Sequence, residues 1–177
     1  SIIGFDQSFP IYADKAFLGN TLFASSYRTL SDNVIGASKF YFTSVHGLGD
    51  DDVRVSKRRN LSTKKLRGFK RGKVGPKDGT DHVGGNYAVA VNFEASLPNI
   101  LPEATKTDVG LFVDFGNVWG VDYDDSIDDS SKLRSSTGVA ANWMSPLGPM
   151  SFILSSNITK HSTDETESFN FSLGTTF

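Results

Sequence analysis

The chain has 177 residues, a net charge of −2 and no cysteine, which excludes disulfides, cysteine-ligated zinc and thiol chemistry within it. It has no run of about 18 apolar residues, so it encodes no membrane-spanning helix. A membrane barrel stays open, because a barrel strand turns only every second residue to lipid and leaves the mean hydropathy, here −0.24, looking soluble.

Taken in chain order, period-two alternation predicts eight strands, near 1–10, 15–30, 33–47, 84–97, 107–119, 132–145, 149–160 and 166–177. In the fourth, Tyr87, Val89, Val91, Phe93, Ala95 and Leu97 alternate with Ala88, Ala90, Asn92, Glu94 and Ser96. In the fifth, Val109, Leu111, Val113 and Phe115 alternate with Gly110, Phe112 and Asp114. In the last, Phe169, Phe171, Leu173, Thr175 and Phe177 share one face, with Ser168, Asn170, Ser172, Gly174 and Thr176 on the other. No apolar helical repeat spans three turns with a cap. The predicted fold class is all-β, an antiparallel transmembrane β-barrel with eight strands present.

Short connections near 31–33, 98–106 and 146–149 alternate with longer or more charged ones near 10–14, 48–83, 120–131 and 161–165. Outer-membrane barrels have short periplasmic turns and long extracellular loops, so 48–83 is expected to be a long extracellular loop. A soluble sandwich or lipocalin-like barrel shares the strand rhythm. Two features favour the membrane version. The polar faces are small and uncharged, and Tyr12, Tyr41, Trp119, Trp143 and Phe177 sit near strand ends, where interfacial girdles need aromatics. The chain opens inside a strand-like segment at Ser1 with no signal peptide, and reads as a fragment or a processed form.

Charge is concentrated in the connections. Residues 54–77 hold 11 of the 18 Lys and Arg, whereas 120–131 has acids and neither cation. Only Phe69 interrupts the dense part of the basic run, so there is no aromatic platform for single-stranded nucleic acid, and no nucleic-acid partner is expected. Outside a cell these cations would face lipopolysaccharide phosphates or make salt bridges within the loop. The acidic stretch Asp122, Asp124, Asp125, Asp128 and Asp129 lacks the Gly and terminal Glu of a calcium loop and reads as a solvated surface loop. No HExxH, P-loop, GxGxxG or Ser–His–Asp elbow is present. No enzyme activity, cofactor or metal is expected.

Three motifs stand out: Lys65-Leu-Arg-Gly-Phe69 with Val74-Gly-Pro-Lys77 and Val83-Gly-Gly-Asn86; Ala141-Asn-Trp-Met-Ser-Pro-Leu-Gly-Pro-Met150; and Glu167-Ser-Phe-Asn-Phe-Ser-Leu-Gly-Thr-Thr-Phe177. With Phe112-Val-Asp-Phe-Gly-Asn-Val-Trp119, their order and spacing resemble the barrel of the bacterial surface antigen superfamily, which includes outer-membrane protein assembly factors and secretion transporters. The resemblance implies the second half of a sixteen-stranded barrel that inserts and assembles other barrel proteins, without catalysis, in the bacterial outer membrane. It implies that the long loop folds into the lumen through Arg67, Gly68 and Phe69, with Arg67 meeting Glu94 and Asp114. It implies that the last strand, with Phe169, Phe171, Leu173, Gly174 and Phe177, is an assembly signal and one side of a weak seam. Implied partners are outer-membrane lipids, lipopolysaccharide and unfolded client proteins; lipoproteins would dock on periplasmic domains outside this chain.

The residue chemistry supports the loop-to-lumen contact independently. Glu94 and Asp114 fall on the polar faces of their strands, where a carboxylate is costly unless paired, and an Arg fork can engage two carboxylates at once. A sibling secretion transporter and a self-contained eight-stranded structural barrel remain alternatives at this stage.

Overall fold

The computed structural model describes residues 1–10 and 15–174. Tyr12 and the final Thr175, Thr176 and Phe177 lie outside the described residues. In chain order the strands are β1 (Ile2–Ser8), β2 (Phe17–Ser31), β3 (Val34–Gly47), β4 (Lys77–Asp78), β5 (Asp81–His82), β6 (Tyr87–Leu97), β7 (Thr107–Trp119), β8 (Arg134–Ser145), β9 (Gly148–Thr159) and β10 (Phe169–Leu173). The short pair β4–β5 is a hairpin within the long loop. The other eight form one antiparallel sheet in the order β1-β2-β3-β6-β7-β8-β9-β10. Helix among the described residues is confined to single 3₁₀ turns at Val55–Lys57 and Glu103–Thr105. No β1–β10 pairing closes the sheet among the described residues, so both outer strands keep an unpaired edge.

The register explains the two faces. Asn92 lies opposite Asp114, Glu94 opposite Phe112, and Asp114 opposite Ser136, so these side chains share one face across β6, β7 and β8. Phe93, Leu111, Val139 and Leu154 point the other way and are exposed. A soluble sheet does the reverse, burying its apolar face. Here the outward band is the surface that a lipid phase covers.

The inner face acquires its packing from the long loop. Leu61, Leu66, Phe69 and Val74 bury themselves against Ala88, Ala90 and Val118 of the wall, with Tyr41 packed alongside. Small wall residues make this possible: Leu61 and Leu66 lie directly over Gly116. Tyr41 therefore corrects one expectation. It faces the interior, its ring beneath the Lys65 ammonium at 4.1 Å, and belongs to no interfacial girdle. Trp119, stacked on Tyr87, and Trp143 lie near opposite ends of the sheet.

Most strand boundaries fall within two residues of the alternation, but two strands start three residues late. Residues 84–86 are not part of β6, because Gly85 instead forms an antiparallel bridge with Arg59 in the loop. The last strand starts at Phe169, not 166, because the preceding residues bond elsewhere.

A cation on the outward band carries a solvation cost that depends on depth. Phe93→Arg is expected to destabilise the membrane-inserted protein by about 2–4 kcal/mol, and Leu147→Arg, in the two-residue β8–β9 turn, by about 0–1 kcal/mol. Urea titration of protein folded into lipid vesicles checks the contrast.

Candidate functional site

Asp114 sits midway along β7 with its side chain fully buried on the inner face. Four donors converge on it. Arg67 Nε donates to Oδ2 at 2.8 Å and Arg67 Nη2 to Oδ1 at 2.8 Å. The Arg67 backbone N–H also donates to Oδ2, at 3.0 Å, and Asn92 Nδ2 donates to Oδ1 at 2.8 Å. The remaining arm of the guanidinium, Nη1, donates to Glu94 Oε2 at 2.9 Å. Its flat face lies 3.7 Å from the centroid of the Phe112 ring. The fork is thus filled edge-on by two carboxylates and covered by an aromatic, an arrangement that needs a planar, permanently charged group.

The backbone of the motif is held as firmly as its side chain. The Ser136 hydroxyl donates to the Arg67 carbonyl, and Asn157 Nδ2 donates to the Gly68 carbonyl at 2.9 Å. Gly68 has φ of +87°, and an added Cβ would meet Asn157, Ser136 and Ser155 at 3.2–3.3 Å, so both conformation and space call for glycine. Phe69 is buried in the loop–wall cluster.

Two further arginines bind the loops at the long-loop end. Arg58 donates through Nη1 to Asn86 Oδ1 and through Nη2 to the Val53 carbonyl, both at 3.0 Å, and pairs with Asp122. Arg134 grips Asp164 bidentately at 2.9 Å and also reaches Asn117 Oδ1 at 2.7 Å. Part of the acidic stretch is therefore structural. Burial opposes the charge on Asp122, but donors on Val53, Asn86 and Arg58 hold its carboxyl below the usual carboxylate range. Asp129 accepts from the Val121 N–H at 2.7 Å, while Asp124 and Asp125 are exposed.

The structure brings Arg67, Gly68, Phe69, Glu94 and Asp114 together. Phe169, Phe171 and Leu173 lie apart from them, exposed on the outward face of β10. Gly174 follows with φ of +73°, where the extended run ends, and Phe177 lies outside the described residues. Phe112 opens one of the quoted motifs and Asn92 shares the polar face with Glu94, but nothing in the sequence marks either as a partner of Arg67. Ser136 and Asn157 leave no sequence signal at all.

The Omp85 superfamily domain profile matches residues 3–177. The chain belongs to the Omp85 superfamily. Among curated Omp85 relatives it is similar to the outer membrane protein assembly factor BamA of Neisseria meningitidis serogroup B, 33% identical over 141 residues, covering 63% of this chain and 17% of the relative. BamA of Neorickettsia risticii is 28% identical over 137 residues, covering 76% and 18%. The crystal structure of BamA from Haemophilus ducreyi lacking POTRA domains 1–3 superposes with a TM-score of 0.76 at 27% identity, covering 89% of this chain and 34% of that one. The chain spans about a fifth of the length of these curated relatives. Its Omp85 membership makes it a bacterial outer-membrane chain and the eight strands of its large sheet membrane-spanning.

Removing one partner of a buried pair leaves the other charge stranded. Asp114→Ala is expected to weaken loop docking by about 3–5 kcal/mol, far more than Glu94→Gln at its partly exposed site. Limited trypsin digestion of the folded protein, scored for cleavage within 54–77, checks the order.

His82 carries a pH dependence. The Thr163 carbonyl can only accept, so His82 Nε2 donates to it at 3.0 Å, leaving Nδ1 buried with no hydrogen-bond partner among the described residues. Burial lowers the His82 pKa; the Thr163 bond opposes this, and Lys77 and Lys73 lower it further. The undocked hairpin therefore takes up a proton first. Docking is strongest above about pH 6.5 and weakens as pH falls below it. Protection of the Lys77–His82 amides, measured as exchange relative to the intrinsic rate at each pH, is expected to fall between pH 7 and pH 5 in the native protein, and His82→Gln to remove that fall.

Proposed function

We propose that this chain forms part of an outer-membrane protein assembly factor, a wall that helps insert barrel proteins into the bacterial outer membrane without covalent catalysis. The single observation carrying this reading is the docking of the loop motif, with Arg67 sharing Asp114 and Glu94 on the inner wall, in a chain whose relatives are named assembly factors. The work required of such a wall is to present strand edges and polar interior surface, and neither task needs a nucleophile or a cofactor.

In this reading the ends with the long connections face outward from the cell. The loop spanning 48–83 starts outside and reaches back into the lumen. The outward faces of the sheet meet lipid, and the loop cations meet lipopolysaccharide phosphates. Strand β10, with Phe169, Phe171 and Leu173 outward, Gly174 at its end and Phe177 beyond, supplies an edge to which an incoming strand adds by main-chain hydrogen bonding. The edges of β1 and β10, unpaired among the described residues, support a share in a larger wall over closure on eight strands. Lipoprotein partners would bind periplasmic domains of the longer protein.

The test uses cells that depend on the full-length protein. Arg67→Ala is expected to lower the folded, heat-modifiable fraction of client barrels several-fold at normal levels of the variant itself. Undiminished client folding with Arg67→Ala present at wild-type level sinks the proposal.

A further inference from the structure

The segment leading into β10 makes a contact that the sheet does not require. Continuing the β9–β10 register backward from Phe169 opposite Leu154 would place residues 165–167 against residues 156–158. The ladder holds for one more bond, from the Ser155 N–H to the Ser168 carbonyl at 2.8 Å. Then the chain leaves β9 and pairs with the motif loop. The Glu167 N–H donates to the Gly68 carbonyl, the Lys70 N–H to the Glu165 carbonyl and the Glu165 N–H to the Lys73 carbonyl, each at 3.0 Å. Phe69 and Thr166 lie opposite each other in an antiparallel bridge.

Side chains reinforce the junction. The Glu165 carboxylate takes Lys70 Nζ at 3.2 Å on one oxygen and Lys73 Nζ at 3.4 Å on the other. Its neighbour Asp164 is fully buried against Arg134, which fixes the segment to the wall. Asn157 of β9 shares the Gly68 carbonyl with the Glu167 N–H. The loop motif thus touches both β9 and the start of the last strand.

We propose that residues 163–168 are a receiving edge for the motif loop, that Glu165 is its positioning residue, and that this junction couples loop docking to the pairing of β10. A strand of five residues at a sheet edge has few bonds to lose, so it opens at the low end of local stability. With the loop docked, β10 is clamped at Phe169 and can leave β9 only from its Leu173 end. With the loop released, it frays from both ends. The use of this coupling, setting how much of the last strand is offered to an incoming strand, rests on the assembly reading above; the coupling itself does not.

Amide hydrogen exchange on the full-length protein in lipid nanodiscs tests it. Two variants loosen the loop by different routes: Glu165→Lys opposes Lys70 and Lys73, and Asp114→Asn weakens the grip on Arg67. Exchange at 169–173 is expected to quicken about tenfold in both, with the β6–β7 pairing unchanged. A triple charge exchange, Glu165→Lys with Lys70→Glu and Lys73→Glu, is expected to restore the native rate, and covers the case in which a single variant inserts poorly. If exchange rises across 65–73 but stays native at 169–173, or if the triple exchange fails to restore it, the coupling is overturned. Client folding is scored in parallel. Faster exchange at 169–173 with undiminished client folding leaves the junction standing and overturns only its role in assembly.

Discussion

The fold turns on placing one carboxylate, Asp114, on the inner wall at zero solvent exposure. A buried carboxylate without partners costs several kcal/mol in desolvation, so the wall at this position is unfavourable until something with donors arrives. Arg67 and Asn92 supply four hydrogen bonds between them, and Glu94 occupies the arm of the fork that Asp114 leaves over. A loop shifted by one residue would strand both Arg67 and Asp114. The pair therefore contributes less to net stability than to register, because a hydrophobic filling of equal volume would serve stability as well. Stability at this junction comes from Leu61, Leu66, Phe69 and Val74, which find apolar wall only when Arg67 is in place.

That division of labour follows from the inverted amphipathicity of a membrane wall. The outward band is apolar, so the inner face cannot be a conventional core, and packing has to be brought to it. The wall prepares for this with absent side chains: Gly116 lies under Leu61 and Leu66, and Gly138 under the tip of Phe112. The same inner face carries Asn92, Ser136 and Asn157, each spent on a loop carbonyl or on Asp114. Polar interior groups here are neither solvated filler nor an apolar core. They are fixed donors awaiting a particular backbone.

How much of this the sequence shows depends on the range of the interaction. Period-two alternation is local, so the strands, the two faces and the inward placement of Glu94 and Asp114 could be read directly. Connection lengths are local too, and so is the asymmetry between the two ends of the sheet. What depends on cross-strand register could not be read. Nothing near Ser136 or Asn157 announces that a loop some 70–90 positions earlier will present carbonyls to them. Tyr41 misled as an aromatic near a strand end, whereas it lies midway along β3 and its parity with Lys39 and Thr43 puts it inside. Residues 166–168 alternate like a strand and do pair like one, but with the loop and not with β9 beyond Ser168.

The three buried arginines then share one logic. Arg58 joins the long loop to Asp122 in the next, Arg67 joins it to Asp114 in the wall, and Arg134 joins the wall to Asp164 in the last. Each is almost wholly enclosed, so salt screens these pairs far less than it screens the exposed lysines of the same loops. Each also makes bonds in several directions within one plane: Arg58 to a carbonyl, an amide and a carboxylate, Arg134 to a carboxylate, an amide and a carbonyl. A lysine ammonium can neutralise a carboxylate but cannot hold a fork of acceptors at fixed angles. The lysines fall where one contact suffices, on Glu165 and Asp128 at the exposed surface. Within the basic run at 54–77, Arg58 and Arg67 thus set where the loop sits, while Lys70 and Lys73 trim its contact with Glu165 once it is there.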